Sequence, residues 1–343
     1  MSELVRDIGE FALIDRLAKR LHPPAIDVIA GIGDDVAVIA FGGFRDAGCP
    51  YLLATCDVQV AGVHFLPGRI TPYQLGCKVA AINLSDIAAM GGRPRHFLVS
   101  LAMPPDTPVA YLEALYDGLS EEARRHGADV VGGNMSRASS LTIDLTLLGE
   151  VMPDHLLRRS GAQAGDLLLV TGALGTSAAG LALVIDPELK ATAEDRERCL
   201  QAHLTPTPRL AESAVIVREG GATAMIDISD GLMADLGHIC EASGTGAELW
   251  EEAIPLLDAT RRVAEAAGTD PLQWALSGGE DYELLFTARP DRAETLARNV
   301  TDSTGTPVTI IGAIRPPSDG HRLRHRDGSQ LPLHAAGWDH FAR

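Results

Sequence analysis

Five short stretches of this chain set carboxylates among small residues. They are Gly31-Ile32-Gly33-Asp34-Asp35, Thr55-Cys56-Asp57, Asn83-Leu84-Ser85-Asp86, Asp227-Ile228-Ser229-Asp230-Gly231 and Gly278-Gly279-Glu280-Asp281. Each makes a poorly shielded anionic corner that water or a hard, oxygen-seeking cation must neutralise. An isolated Gly-Asp-Asp is ordinarily a solvated turn. Asp227 and Asp230 could both reach one cation, or Asp230 could serve only the dipole of a following helix. Asp86 is harder to explain by structure alone. It lies between Leu84 and Ile87 on an apolar segment, where a carboxylate is costly unless it meets a metal or a salt bridge to Lys78 or an arginine. The recurrence of these corners raises the question of whether they meet.

Other routes to catalysis are closed by the same reading. The phosphate-binding pattern G-x-x-x-x-G-K-[ST] is absent, and the only lysines are Lys19, Lys78 and Lys190. Gly172-Ala173-Leu174-Gly175 follows a strand-like run but lacks the third glycine and the acid of a dinucleotide fingerprint. No H-E-x-x-H or G-x-S-x-G motif occurs, and the kinase set H-R-D-L-x-x-x-N is absent. Read singly, His64 is a core histidine, Arg137 a hairpin surface residue and Trp338 a staple for the tail.

The elements that must carry the corners can be read from apolar period and punctuation. A short helix is expected over 8–21, and strands at 26–30 and 36–40 flank the Asp34-Asp35 corner. A strong strand at 51–55 places Asp57 just past its end. Thr71-Pro72 opens a helix running to Gly91-Gly92. On it Lys78 and Asp86, eight residues apart, lie within about a quarter turn of each other. Strand 96–103, helix 107–126, a short strand at 129–131 and strand 141–150 complete a first domain, 1–152. The second domain, 153–343, starts with strand 167–171 and a helix to about 185. Helices follow over 186–203 and 208–219. Strand 224–228 then leads into a helix over 230–243 with Ser229 as its N-cap and Asp230 in its first turn. Further strands are expected at 245–249, 282–287, 307–313 and 321–324.

Composition sets outer bounds. At 343 residues, two domains are the default. Sparse aromatics (4%) imply a Val, Ile, Leu and Ala core suited to alternating α and β elements. The formal charge of −17 argues against a nucleic-acid partner, though not against a phosphorylated small molecule met through divalent cations. Five scattered cysteines without a C-x-x-C point to reduced thiols. The amino terminus lacks the layout of a signal peptide, and no apolar run approaches membrane-spanning length. A cytoplasmic protein without a membrane partner is expected.

Longer strings carry a resemblance. G-E-F-A-L-I-D at 9–15, G-I-G-D-D at 31–35, T-C-D at 55–57, A-G-V-H-F-L-P at 61–67 and N-L-S-D-I-A-A-M-G at 83–91 resemble the thiamine-monophosphate kinase family. So do I-D-I-S-D-G-L-M-A-D-L-G-H at 226–238, W-A-L-S-G-G-E-D-Y-E-L at 274–284 and G-W-D-H-F at 337–341. The resemblance implies a two-domain α/β fold like that of aminoimidazole-ribonucleotide synthetase, and a homodimer whose amino-terminal sheets pair into a barrel. It implies ATP-dependent phosphorylation of thiamine monophosphate, with several Mg²⁺ ions. Carried over by position, the metal ligands would be Asp35, Thr55, Cys56, Asp57, Asp86, Asn134, Asp227 and Asp230. Of these, Asp86, Asp227 and Asp230 would be central to catalysis. Gly133, Asn134, Arg137, Ser229 and Tyr116 would meet the nucleotide. His64, Glu280 and Trp338 would meet thiamine phosphate, the indole facing the cationic thiazolium. Two positions depart from common family forms. Cys56 stands where Thr precedes the aspartate, so a contact there must come from the backbone or be lost. Asn134 stands where an aspartate is usual, which keeps a side-chain oxygen but drops a charge.

Overall fold

The computed structural model describes residues 10–20, 26–40 and 49–333. Its elements, in order, are α1 (Glu10–Ala18), β1 (Val28–Ala30), β2 (Ala37–Ala40), β3 (Tyr51–Val60), α2 (Pro72–Ala89), β4 (Arg93–Met103), α3 (Val109–Arg125), β5 (Asp129–Arg137) and β6 (Thr142–Val151). There follow β7 (Leu167–Thr171), α4 (Thr176–Ile185), α5 (Ala193–Leu204), α6 (Leu210–Glu219), β8 (Ala222–Asp227), α7 (Leu232–Ser243) and β9 (Gly246–Trp250). The last are α8 (Asp258–Ala267), α9 (Pro271–Ser277), β10 (Leu284–Ala288), α10 (Pro290–Thr304), β11 (Val308–Arg315), β12 (His321–Arg324) and β13 (Gln330–Pro332).

The strands form two sheets. One runs β1-β2-β3-β6-β4-β5, antiparallel except for the parallel β4–β5 pair joined by α3. The other runs β13-β12-β9-β11-β7-β10-β8, antiparallel except for β9–β12. Each has its own apolar core, and both are built from short aliphatic side chains as the composition implies.

Helix α2 joins the two halves, and its sequence shows why. Fourteen of its residues are buried, covering every side of the helix rather than one stripe, which marks a helix enclosed by protein. Thr71 caps it with a reciprocal Gln74 capping box. Gly76 and Gly118 let α2 and α3 touch backbone to backbone, since a Cβ on either would fall 2.0 Å from a carbonyl of the other. At its end, the Ala88 carbonyl accepts from Ser213 Oγ of α6 at 2.6 Å.

Several expected boundaries move. β3 continues through Asp57 to Val60, paired residue by residue with β6, so Asp57 lies inside a strand. β5 extends through Gly132–Arg137 as an edge strand rather than a loop, because β4 offers a parallel ladder along its full length. Residues 186–192 are not helical, and α5 begins only after Thr192, whose hydroxyl accepts from Asp195 N–H. Helix α7 starts at Leu232, so Ser229 is not its N-cap. Gly231 holds that position at φ +112°, where a Cβ would also strike Ser277.

Candidate active site

Two consecutive residues of α2 bring the acidic corners together. Thr55 Oγ1 on β3 donates to Asp86 Oδ2 at 2.5 Å. One residue earlier, Ser85 Oγ donates to Asp227 Oδ2 at the end of β8, at 2.6 Å. A single turn of helix therefore grips a carboxylate site on each sheet. Asp57 lies beside this point, next to the Asp86 carboxylate. From the β1–β2 turn, Asp35 enters the same group. Its Oδ1 accepts from Arg159 Nε and Nη2, at 3.0 and 2.5 Å. Asp34 stays in the turn, accepting the backbone N–H groups of Asp35 and Arg159.

The electrostatics are those of a site awaiting positive charge. Burial, only partly offset by Arg159, pushes Asp35 up to about 7. Burial likewise lifts Asp227 to about 6 against the pull of Ser85 and Arg159. Asp86 is raised well above the usual range by burial, then by Asp57 and Asp227. Asp35 Oδ2 and Asp57 Oδ2 are buried with no hydrogen-bond partner, which is rare and costly in a folded protein. Orphaned hard oxygens among mutually repelling carboxyls fit a divalent cation. No three His, Cys, Asp or Glu among the described residues form a ready-made cage. That agrees with a small cation taken by one or two carboxylates, its shell completed by substrate phosphates and water.

These raised values have a sign. Between about pH 4 and 7 the folded protein holds more protons on this cluster than the unfolded chain does. The cluster's contribution to stability therefore falls as pH rises through that window. Bound cation replaces the protons and should flatten the slope. Thermal melts at about pH 5 and 7.5, in EDTA and with Mg²⁺ as probe, check this. Mg²⁺ should raise the melting temperature more at the higher pH, and an equal rise at both would overturn it.

The loop after β8 is shaped by a residue that sequence reasoning passed over. Buried Asp235, in the first turn of α7, accepts with one oxygen, Oδ2, the backbone N–H groups of Ser229, Asp230 and Gly231 at 3.1, 3.2 and 3.1 Å. This presents Ser229 and Asp230 at the end of β8. The loop is stitched to residues 280–283 by Glu280 N–H to Ser229 O and Tyr282 N–H to Ile228 O, at 2.7 and 2.8 Å.

Family models for AIR synthase related proteins match both halves of the chain, the N-terminal domain over residues 33–151 and the C-terminal domain over 163–321. The thiamine-monophosphate kinase of Salmonella typhimurium is 40% identical over 97% of this chain and 98% of its own length. That of Mycobacterium tuberculosis is 42% identical over 83% and 82%. This chain belongs to the thiamine-monophosphate kinase family. A solved structure, AaThiL complexed with AMPPCP and TMP, superposes with a TM-score of 0.85 at 34% identity, covering 99% of each chain. The fold of this thiamine-monophosphate kinase family member is the two-domain α/β architecture that the resemblance implies.

Not every residue named from the family motifs joins the cluster. Asp35, Thr55, Asp57, Asp86 and Asp227 do, and Ser229 and Asp230 border it. Strand alternation turns the Cys56 side chain to the exposed face, leaving only its backbone toward the carboxylates. Gly133 and Asn134 lie on β5, the far edge of the sheet, separated from β3 by β4 and β6. Gly133 has a packing reason of its own, since a Cβ would sit 1.9 Å from the Val99 carbonyl. Arg137 ends that strand, exposed, beside a cavity of about 390 Å³ lined with Met103, Leu112 and Met135. Tyr116 packs half-buried against the amino-terminal core. His64 accepts the Val60 N–H at Nδ1, at 3.0 Å, which puts the neutral ring's proton on Nε2. Trp338 lies outside the described residues. Among the described residues no Lys or Arg pairs with Asp86. Lys78 turns instead to Glu280, at 2.8 Å.

Proposed function

We propose that this chain transfers the γ-phosphoryl group of ATP directly to the phosphate of thiamine monophosphate, giving ADP and thiamine diphosphate, with Mg²⁺ held at the acidic cluster. The observation that carries this reading is the convergence on Ser85 and Asp86 of carboxylates from both sheets, two of them with orphaned oxygens. ATP and a phosphate monoester together bring about six negative charges. Asp35, Thr55, the Cys56 carbonyl, Asp57, Asp86, Asp227 and Asp230 would hold the ions. Mg²⁺, when bound, supplies charge neutralisation and a template for phosphate oxygens.

The remaining work falls to positioning. The acceptor is already an anion, so no strong general base is required. Ser229, on the loop that Asp235 holds, would face the nucleotide phosphates. Arg159, beside Asp35, has the planar fork suited to a phosphate oxygen. His64, Glu280 and Trp338 would take thiamine phosphate, with Gly133, Asn134, Arg137 and Tyr116 kept as nucleotide contacts. An in-line transfer between two held phosphates draws on alignment and charge compensation. Incubation with ATP, Mg²⁺ and thiamine monophosphate, followed by phosphorus NMR, tests it. Thiamine diphosphate should accumulate with ADP. Nucleotide binding without transfer, or ADP release only with an aminoimidazole-ribonucleotide precursor, would overturn it.

The homodimer belongs to the same proposal. The face of the six-stranded sheet away from α2 and its β5 edge expose Val58, Leu98, Val131 and Met135, a patch that a second copy could cover. The mass in solution should be twice 36.2 kDa, and Leu98→Asp should halve it in sedimentation. A monomeric wild type would remove the pairing. Cytoplasmic residence rests on the absence of any described helix long and apolar enough to cross a membrane and on five free cysteines.

A further inference from the structure

We propose that Lys78 is a positioning residue for the acceptor substrate, clamping the Glu280 carboxylate from behind so that its open side meets thiamine phosphate. The inference rests on the reading of Glu280 as a substrate contact. Lys78 is among the largest fully buried side chains of the protein, 1% exposed, and its Nζ lies 2.8 Å from Glu280 Oε1. Glu280 itself remains 27% exposed. Its Oε2 lies 3.3 Å from Nδ1 of His203, which burial and then Lys78 push down to about 4. His203 is thus neutral at physiological pH, and Lys78 supplies the charge that Glu280 faces.

Three observations point away from a purely structural ion pair. A buried ammonium is seldom the most stable choice, because a packed apolar side chain avoids its desolvation. The carboxylate it holds sits on a strained segment, with Glu280 at φ +65° and Tyr282 at φ +51°, conformations that persist only where the surroundings dictate them. Here the backbone bonds to Ser229 and Ile228 do so, together with Gly279, where a Cβ would fall 2.5 Å from the Ser229 carbonyl. Lys78 also stands two turns before Ser85 and Asp86 on the same rigid helix, about 11 Å along its axis. One element therefore sets both the carboxylate cluster and the acceptor contact, and so fixes the spacing between them.

The test compares Lys78→Met, Glu280→Gln and the double variant in steady-state kinetics with each substrate varied. Lys78→Met should raise KM for thiamine monophosphate about 10- to 100-fold, while KM for ATP stays within about twofold. The double variant should be no worse than Glu280→Gln alone, since both changes remove one interaction. If Lys78→Met does not fold, the double variant, which leaves no buried charge unpaired, and Lys78→Gln carry the comparison. Additive effects, or a uniform loss in kcat and both KM values, would overturn the clamp. An unchanged KM in Glu280→Gln would instead remove the reading of Glu280 as a substrate contact.

Discussion

Asp86→Ala and Asp227→Ala are each expected to lower kcat by about a thousand-fold or more while leaving the protein folded. Asp86 receives Thr55 from one sheet, and Asp227 receives Ser85 from the helix between the sheets. Losing either removes an ion-holding carboxylate where charge must be neutralised. The same substitutions relieve repulsion in the protein without cation. Asp86 is raised well above the usual carboxylate range by burial, Asp57 and Asp227, so its ionisation destabilises the fold. Asp86→Asn should therefore melt higher than the wild type in EDTA. The gain should grow as pH rises above the ordinary carboxylate value, where the wild-type group is forced to ionise. Inactivation with stabilisation is the signature of a strained functional site rather than a structural one. Near-normal turnover in either alanine variant would sink the shared-cation model. A lower melting point for Asp86→Asn in EDTA would show that the carboxylate contributes to folding instead.

What could be read in advance followed from local chemistry. The Thr71-Pro72 start of α2, the aliphatic strands and the carboxylate corners were legible because each depends on a few adjacent residues. Asp86 was legible as an anomaly, since a carboxylate on an apolar helix requires a partner. Its partner was not legible. Lys78 lies on nearly the same side of α2, yet it reaches Glu280, which is 202 positions away in sequence and delivered by a strained turn in the other half. Arg159 fell in a connector, where an Arg-Arg pair carries no period or spacing to mark it. Asp57 was placed beyond its strand because β-pairing with β6, a tertiary effect, extends β3 past the apolar run. The β5 edge was obscured for the reverse reason: Gly132-Gly133-Asn134 looks like a turn, but β4 supplies a ladder that overrides it.

Asp235 was the largest omission in the site, and replacing it should have the second largest effect. Its motif, Ser229-Asp230-Gly231-Leu232-Met233-Ala234-Asp235, suggests a helix capped from its start by Ser229. The structure reverses this arrangement: Asp235 reaches back from within α7 to gather three successive N–H groups. Asp235→Ala would strand those donors in a loop that is only partly exposed. Unsatisfied buried groups cost about 1–3 kcal/mol each, with relaxation and entering water recovering part of the sum. A net loss of about 2–4 kcal/mol is expected, seen as a fall in melting temperature of at least about 5 °C. Ser229 and Asp230 would lose their common anchor, so kcat should drop roughly 100-fold even where the remaining protein is folded. Asp235→Asn separates geometry from charge. Its amide oxygen can still accept, and burial with Asp230 and Asp227 already raises the native carboxyl well above its usual range. The asparagine variant should therefore lose less than half as much stability as alanine. If alanine melts and turns over like the wild type, the loop is held by its backbone bonds to Glu280 and Tyr282 alone, and the role assigned to Asp235 is wrong.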